Sequence, residues 1–200
     1  MTKLIYLISP NEINRNFYYN LIKVLKSKKI KFFQLRLKKT KKNKIIKIAK
    51  KVKKITKKFN VKLIINDNPQ IAKEVNADGC HLGQKDMNII MAKKILGKKI
   101  IGITCHNSIN FAKKAIKSKA SYIALGAFYQ SNTKKTKYAA SIKILKKVKK
   151  FTKTPIVAIG GINASNYKNL LLNNANFLAI SSYIWKNKKY KPLQAIEKLK

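Results

Sequence analysis

The acidic residues are the side chains whose chemistry is easiest to read in this sequence, because there are so few of them. Its 200 residues include only six Asp and Glu side chains, and three of these are aspartates within twenty positions. Asp67 and Asp86 each follow a short apolar segment, so both carboxylates fall where two neighbouring strands would end. Mg²⁺ takes one or two carboxylates together with substrate oxygens and water. The sequence therefore predicts a metal site at Asp67 and Asp86, with an Asx turn as the alternative for Asp67.

A second group of residues has the composition of a phosphate site. Gly160 and Gly161 stand between an apolar segment and a helical pattern, and glycine lets backbone N–H groups approach a phosphate. Ser181 and Ser182 follow the next apolar segment. Residues 130–135 carry hydroxyl and lysine side chains and no apolar residue. This loop is typical of a mobile lid over an anion, and an ordinary exposed loop is the alternative.

Eight short apolar segments alternate with lysine-rich stretches whose apolar residues recur at helical spacing. Nearly continuous apolar strands separated by amphipathic helices are typical of a parallel sheet covered by helices. Eight such units favour an α/β fold, a single (β/α)₈ TIM barrel over residues 1–200, and an open doubly wound sheet is the alternative. The predicted strands lie at residues 3–8, 31–36, 61–66, 79–82, 99–103, 121–126, 155–159 and 176–181.

Polar residues and glycines follow most of the predicted strands, where a barrel places its active site. Each alone is also compatible with a turn, but their recurrence at seven strand ends indicates a functional rim. Asp78 differs, since it precedes a strand and is expected in a turn at the opposite end. The rim residues are Arg36, Lys38, Asn66, Asp67, His81, residues 84–86, Thr104, His106, Gly126, Gly160, Gly161, Ser181 and Ser182.

The net charge of +41 is the unusual feature of the composition. A strongly basic chain suggests a polyanionic partner. However, only Arg15 and Arg36 of the 47 basic residues are arginine, and arginine is the residue best suited to phosphates and base edges. The lysines run through nearly the whole chain, which favours compositional drift and a solvated lysine coat. We expect no specific binding of nucleic acid.

The cysteines and the apolar segments bear on location. Cys80 and Cys105 have neither disulfide nor metal-site spacing, and they are expected to behave as small apolar residues of a cytoplasmic protein. No apolar run reaches the length of a membrane helix, and the first residues lack the pattern of a signal peptide. His81 and His106 share no helix, so a two-histidine zinc site is not expected.

Eight motifs occur in order over most of the chain: FQLRLK (33–38), IND (65–67), ADGCHLGQKDM (77–87), IGITCH (101–106), ALGAFY (124–129), TK (133–134), VAIGGI (157–162) and AISS (179–182). In this order they resemble the thiamine phosphate synthase family and look most similar to its proteobacterial branch. The resemblance implies a (β/α)₈ barrel, a Mg²⁺ cofactor and a transferase. The implied reaction joins 4-amino-5-hydroxymethyl-2-methylpyrimidine diphosphate to 4-methyl-5-(2-phosphoethyl)thiazole and releases pyrophosphate.

The resemblance also implies roles for individual residues. Asp67 and Asp86 would hold Mg²⁺, and Thr104, at a position that is often serine in the family, would contact the pyrimidine. Departure of pyrophosphate transfers charge to its oxygens, so preorganised cations are the main catalytic requirement. The catalytic residues would be Arg36, Lys38 and Lys134. The binding residues would be Gln34, Arg36, Lys38, Asn66 and Lys134 for the pyrimidine diphosphate, and Ser131, Thr133, Gly161, Ser181 and Ser182 for the thiazole phosphate.

Three positions depart from the family pattern. Many relatives carry an acidic residue where Leu37 stands, a proline at Gln130 and an acidic residue at Thr136, which bears on lid geometry and rate. The related thiazole tautomerase shares the barrel and needs no metal; it is the alternative enzyme, and Asp67 and Asp86 argue against it. A lysine-rich nucleic-acid-binding protein is the alternative from another class. The expected partners are two small-molecule substrates, and the sequence leaves open a homo-oligomer.

Overall fold

The chain closes into a barrel of eight parallel strands. The structure, a computed structural model, describes residues 4–130 and 138–199, in which the strands pair in sequence order and β8 returns to β1. This confirms the predicted TIM barrel and excludes the open sheet. The strands are β1 (Ile5–Ile8), β2 (Ile30–Leu35), β3 (Lys62–Asn66), β4 (Gly79–Leu82), β5 (Ile100–His106), β6 (Tyr122–Gly126), β7 (Ile156–Ile159) and β8 (Phe177–Ile180).

Helices follow the strands and cover the outside of the barrel. Within the described ranges, no helix combines the length and the apolar character that crossing a membrane requires. The helices are α1 (Phe17–Lys26), α2 (Lys42–Lys58), α3 (Pro69–Glu74), α4 (Ile89–Leu96), α5 (Ile109–Lys117), α6 (Lys143–Lys149), α7 (Tyr167–Leu172), α8 (Ser182–Trp185) and α9 (Pro192–Glu197).

The strand boundaries differ from the sequence prediction by at most three residues, and the largest difference is at the end of β5. The sequence analysis placed Thr104 and His106 after this strand, and that expectation is wrong. Thr104 pairs with Ala124 of β6, and after a shift in register His106 pairs with Leu125. The shift lets β5 continue its pairing, so Thr104 stands within the strand near its carboxyl end.

Two apolar layers hold the barrel together, one between strands and helices and one inside the barrel. Because side chains alternate along a strand, Gln34 follows Phe32 on the interior face and Asn66 follows Ile64. The interior therefore changes from apolar to polar toward the carboxyl ends of the strands. The interior cluster consists of Tyr6, Ile8, Phe32, Ile64, Tyr122, Ala124, Val157 and Ala179.

The lysines lie on the outward faces of the helices. In α2, Ala49 and Val52 are buried against the barrel, whereas the neighbouring Lys50 and Lys51 are exposed. Every helix from α1 to α7 carries at least one exposed lysine. The positive charge thus surrounds the barrel instead of forming one basic face, and this distribution favours compositional drift over a nucleic-acid surface.

Asp78 joins two strands at the amino end of the barrel, opposite the predicted site. Its carboxylate accepts hydrogen bonds from Lys53 Nζ at 2.5 Å and from the backbone N–H of Leu63 at 2.9 Å, and Lys62 Nζ lies 3.4 Å away. Burial opposes ionisation of Asp78, but these hydrogen bonds and lysine charges outweigh it and lower the pKa of the carboxyl. Asp78 therefore stabilises the barrel in its ionised form.

We expect Asp78→Asn to lower the free energy of unfolding at neutral pH by about 1–2 kcal/mol, as for other partly buried hydrogen-bonded charges. Since the folded-state pKa lies below the unfolded value of about 3.9, the stabilisation is present above that value and is lost as the pH falls through the folded-state pKa. Urea unfolding should show the two proteins converging below about pH 4. Glu74→Gln removes an exposed carboxylate 3.8 Å from Lys42 and should change little. An equal deficit at neutral and acid pH would contradict the role of the charge.

Candidate active site

All of the predicted site residues that the structure describes lie at one end of the barrel. All eight strands are parallel, so their carboxyl ends share one face. By element, the residues are Gln34, Arg36 and Lys38 in or after β2, Asn66 and Asp67 at the end of β3, Asp86 after β4, Thr104 in β5, Gly161 after β7, and Ser181 and Ser182 after β8. Ser131, Thr133 and Lys134 lie outside the described residues.

Asp67 meets Asp86 because the chain turns sharply at the end of β3. Asp67 has a positive φ of 63°, and its backbone N–H donates to the carbonyl of His81 on β4 at 2.8 Å. The neighbouring Asn68 caps α3, since its Oδ1 accepts from the backbone N–H of Ile71 at 2.9 Å. The capping role thus belongs to Asn68, and the Asp67 carboxyl is hydrogen-bonded to Asp86.

The two carboxyl groups repel each other when both are ionised. The pKa of Asp67 is raised to about 6, first by burial and then by the hydrogen bond and negative charge of Asp86, while Lys38 and Arg36 act in the opposite direction. A proton or a divalent cation between two such groups relieves the repulsion. The pair therefore fits Mg²⁺, which takes one or two carboxylates from a protein. Among the residues that the structure describes, no cluster of three or more His, Cys, Asp or Glu side chains is present.

The loop after β4 holds Asp86 in place. The backbone N–H of Gly83 donates to Asp86 Oδ2 at 2.7 Å, and the carboxamide of Gln84 donates to the carbonyl of Thr104 on β5. The first bond fixes one carboxylate oxygen and leaves Oδ1 for a second partner. The loop thus carries a preoriented carboxylate at the barrel mouth.

Arg36 and Lys38 bring positive charge to the carboxylate pair. Both lower the pKa of Asp67, which places their charges near it. The backbone N–H of Arg36 donates to Ser9 Oγ at 3.0 Å, and its Nη1 donates to Asn11 Oδ1 at 3.3 Å. The sequence analysis missed Ser9 and Asn11, although the polar turn that follows β1 was a visible signal. These residues hold the arginine from the neighbouring strand.

The glycine loop after β7 packs tightly against the loop after β6. Gly160 and Gly161 have φ values of 109° and 60°, which favour glycine. A Cβ on Gly161 would lie 2.3 Å from the carbonyl oxygen of Gln130, and the Gly160 carbonyl accepts from Tyr129 N–H at 3.2 Å. The base of the predicted lid is therefore joined to the predicted phosphate loop.

The two serines after β8 have different surroundings. The hydroxyl of Ser181 donates to the carbonyl of Ser9 at 3.1 Å, so its proton is used within the protein. Ser182 begins α8, which is held against β1 because Trp185 Nε1 donates to the carbonyl of Ile8 at 2.6 Å. The Ser182 hydroxyl is therefore more available to bind a ligand than the Ser181 hydroxyl.

Gln34 and Thr104 contact a buried polar group of Tyr6, Tyr122 and His81, and the sequence analysis named only His81 of these three. Nε2 of Gln34 donates to Tyr6 Oη at 2.9 Å, and Oγ1 of Thr104 lies 2.8 Å from His81 Nε2. Tyr6 and His81 both contact Tyr122. In the sequence the two tyrosines are ordinary members of apolar strands, and only barrel closure brings them together.

Comparison with known proteins identifies the family. The family model described as thiamine monophosphate synthase matches residues 5–184. The chain belongs to the thiamine monophosphate synthase family. A thiamine-phosphate synthase of Pelagibacter ubique is 67% identical over 199 residues, 99% of this chain and 96% of the relative; one of Nitrosomonas eutropha is 38% identical over 157 residues, 78% and 74% of the two chains. The structure of a thiamine phosphate pyrophosphorylase from Pyrococcus furiosus matches with a TM-score of 0.88 at 26% identity, covering 98% of this chain and 93% of the other.

Membership of the thiamine monophosphate synthase family confirms the resemblance seen in the motifs and makes the chain an enzyme, a transferase. Leu37, one of the three positions at which the sequence analysis expected a departure from the family pattern, is buried and packs into the layer between strands and helices. An apolar residue suits that environment. Gln130 is exposed at the base of the predicted lid, and Thr136 lies outside the described residues.

Proposed function

We propose that this chain joins 4-amino-5-hydroxymethyl-2-methylpyrimidine diphosphate to 4-methyl-5-(2-phosphoethyl)thiazole with the help of Mg²⁺, giving thiamine phosphate and pyrophosphate. The observation that carries the proposal is the carboxylate pair of Asp67 and Asp86 beside Arg36 and Lys38 at the barrel mouth. A metal-bound diphosphate needs acidic ligands for the metal and cations for its oxygens. The synthase names of the relatives support the same reaction.

The reaction breaks the bond between the pyrimidine methylene carbon and a diphosphate oxygen, and the electron pair leaves with pyrophosphate. The thiazole ring nitrogen bonds to the methylene carbon through its lone pair, so the chain needs neither a nucleophile nor a general base. Mg²⁺ held by Asp67 and Asp86 would supply Lewis-acid stabilisation of the leaving oxygens. Arg36 and Lys38 donate charge-assisted hydrogen bonds to those oxygens, and Lys134 adds a third cation.

The two substrates occupy different parts of the barrel mouth in this proposal. The pyrimidine side is supported by the interior position of Gln34 and Thr104. The thiazole phosphate side is supported by the positive φ of Gly161, a backbone conformation found in anion-binding turns. The pyrimidine diphosphate residues are Gln34, Arg36, Lys38, Asn66, Thr104 and Lys134. The thiazole phosphate residues are Ser131, Thr133, Gly161, Ser181 and Ser182.

The proposal is tested by the release of pyrophosphate from the purified protein. We expect release only when both substrates and Mg²⁺ are present, with omission of each component as the control. A thiazole tautomerase would instead isomerise its thiazole phosphate without metal and release no pyrophosphate. Absence of pyrophosphate with the complete mixture would overturn the proposal.

We expect Gly161→Ala to raise the KM for the thiazole phosphate about tenfold, with a smaller change for the pyrimidine diphosphate. The new Cβ would meet the carbonyl of Gln130, so the two loops would separate and the phosphate would lose its close approach to the backbone. Steady-state kinetics with each substrate varied in turn provides the measurement.

Gly97→Ala is the matched control for this substitution. Gly97 has nearly the same φ, 59°, but a Cβ there meets no atom within 4 Å. The control therefore reports the strain of a positive φ alone, and both KM values should stay near those of the parent. Equal increases in both KM values for Gly161→Ala would place the phosphate elsewhere.

We also propose a cytoplasmic location and a single domain over residues 1–200. Cys80 and Cys105 are buried and unpaired. Burial raises the pKa of both thiols, that of Cys105 to about 12, so both remain protonated and unreactive. Unreactive free thiols fit a reducing compartment.

A further inference from the structure

Five hydrogen-bonded side chains cross the barrel interior and connect the two residues proposed to face the pyrimidine. Nε2 of Gln34 lies 2.9 Å from Tyr6 Oη, which lies 2.6 Å from Tyr122 Oη. Tyr122 Oη lies 2.9 Å from His81 Nδ1, and His81 Nε2 lies 2.8 Å from Thr104 Oγ1. The first four residues are at most 8% exposed, so their hydrogen bonds depend on one another. We call these five residues the polar relay.

The direction of every proton in the polar relay follows from its first member. The amide nitrogen of Gln34 can only donate, so Tyr6 Oη accepts there. Tyr6 is assigned as the donor to Tyr122, because Tyr122 Oη is the other hydrogen-bond partner of its hydroxyl among the described residues. Tyr122 in turn donates to Nδ1 of His81. A neutral imidazole that accepts at Nδ1 carries its proton on Nε2, and Nε2 donates to Thr104. The Thr104 hydroxyl thus receives a hydrogen bond from inside and keeps its own proton for a ligand.

Burial keeps the polar relay uncharged. His81 is only 8% exposed, and its two ring nitrogens contact the hydroxyl groups of Tyr122 and Thr104 rather than a carboxylate, so the neutral imidazole suits this environment. Burial also raises the pKa of Tyr6 and Tyr122. At neutral pH the imidazole therefore carries one proton and each phenol keeps its proton. With these protonation states, all hydrogen bonds of the polar relay can run in one direction, from Gln34 to Thr104.

The barrel interior is shaped around the phenol of Tyr122. Gly102 of β5 faces it, and a Cβ on Gly102 would lie 1.9 Å from Tyr122 Cζ and 2.3 Å from its Oη. The His81 ring stacks on Tyr122 with an interplanar angle of 13°, and the Tyr6 ring meets it edge-on at 82°. Tyr122, the central member of the polar relay, is therefore held between the rings of His81 and Tyr6. Its phenol fits beside β5 only because residue 102 is glycine.

We propose that Tyr6, Tyr122 and His81 are positioning residues that set the hydrogen-bond polarity of the pyrimidine site. Through them Thr104 becomes a donor, and the carboxamide oxygen of Gln34 is left as an acceptor. This inference rests on the proposed function. An aminopyrimidine accepts at its ring nitrogens and donates from its amino group, so it matches both residues. A 4-oxo pyrimidine, with a ring N–H and a carbonyl, presents the reverse polarity and is disfavoured.

The position of the His81 proton is directly measurable, because the chain has only two histidines. Ring ¹⁵N–¹H correlation spectra of histidine-labelled protein report which nitrogen is protonated, and His106→Gln assigns the signals. We expect the proton on Nε2 in the parent and a mixture of tautomers in Tyr122→Phe. A proton on Nδ1 in the parent would overturn the inference. Since no substrate is present, this result is independent of whether the protein is a synthase.

Substrate polarity is tested with the aminopyrimidine diphosphate and its 4-oxo analogue. We expect the parent to prefer the amino compound by about a hundredfold or more in kcat/KM. Tyr122→Phe should reduce this preference about tenfold. The KM for the thiazole phosphate should not change in this variant. Tyr167→Phe, which alters another buried tyrosine outside the polar relay, should keep the parent preference. An unchanged preference in Tyr122→Phe would count against the inference.

A double-mutant cycle tests whether Tyr122 acts through Thr104. Thr104→Val removes the hydroxyl and keeps the shape, and in that background Tyr122→Phe should cause no further loss of preference. Thr104→Ser, which restores a hydroxyl, should restore the preference. Additive losses would show that Tyr122 acts on the fold instead and would overturn the inference. Tyr6→Phe interrupts the polar relay at a second point and serves the same test if Tyr122→Phe does not fold.

Discussion

Asp67→Asn and Asp86→Asn are each expected to lower the rate of pyrophosphate release by about a hundredfold or more. Each removes one of the two negative charges that would hold Mg²⁺ against the diphosphate. The amide oxygen can keep the local bonds, including the one from Gly83 to Asp86. The Mg²⁺ concentration for half-maximal rate should rise in both variants, since a neutral amide is the weaker ligand. Initial rates across a Mg²⁺ titration provide the measurement.

The barrel should stay folded in Asp67→Asn. Asparagine tolerates the positive φ at this position. Because the folded-state pKa of Asp67 is raised to about 6, ionisation opposes folding, and the stability of the parent should fall as the pH rises from about 4 to about 6. The variant lacks this ionisation, so its free energy of unfolding at neutral pH should equal or exceed that of the parent.

Glu74→Gln is the control for the loss of a carboxylate. Glu74 is exposed and pairs with Lys42 on the outside of the barrel, so its replacement should leave the rate and the metal requirement unchanged. Full activity of Asp67→Asn or Asp86→Asn without Mg²⁺ would remove the metal role. Loss of the urea transition together with activity would assign the aspartates to the fold.

The barrel could be predicted from the sequence because its signals are local. Each strand is a short apolar run and each helix is an amphipathic stretch, so eight repeats of the pair indicate the architecture. The rim residues followed from the same pattern, since parallel strands bring their carboxyl ends together. The end of β5 was misplaced because the shift in register beside Thr104 depends on pairing with β6, and no local pattern records it.

The contacts that support the candidate site could not be predicted in the same way. Tyr6 and Tyr122 are separated by 116 positions, and each looks like a core residue of its own strand. Ser9 reaches Arg36 only because β1 and β2 are neighbours with a defined register. Such polar contacts between side chains carry no periodicity, so they become visible only when the strands have been placed.

Arg36→Gln is expected to lower kcat by about a hundredfold or more, and Arg36→Lys by less. The oxygens of pyrophosphate gain charge as the bond breaks. Before the reaction begins, Asn11 accepts a hydrogen bond from the Arg36 guanidinium and Ser9 accepts one from the Arg36 backbone N–H, so the arginine is already positioned near Asp67. Lysine keeps the charge but not the planar fork that grips two phosphate oxygens. Because the interaction strengthens in the transition state, kcat and kcat/KM should fall together in steady-state measurements.

Arg15→Gln separates the action of one guanidinium from the effect of the overall charge. A chain with a net charge of +41 attracts anionic substrates as a whole, and Arg15 is the other arginine, exposed on the surface. If the net positive charge of the chain accelerated the reaction, Arg15→Gln and Arg36→Gln would lower the rate equally. Added salt would then lower the rate of the parent to that of the two variants. We expect Arg15→Gln to stay within about twofold of the parent, since the charge of a single exposed side chain is screened by salt. A loss of rate that occurs only in Arg36→Gln and does not depend on salt would show that Arg36 acts through contact with the leaving group. Equal losses of rate in Arg36→Gln and Arg15→Gln would contradict the role proposed for Arg36.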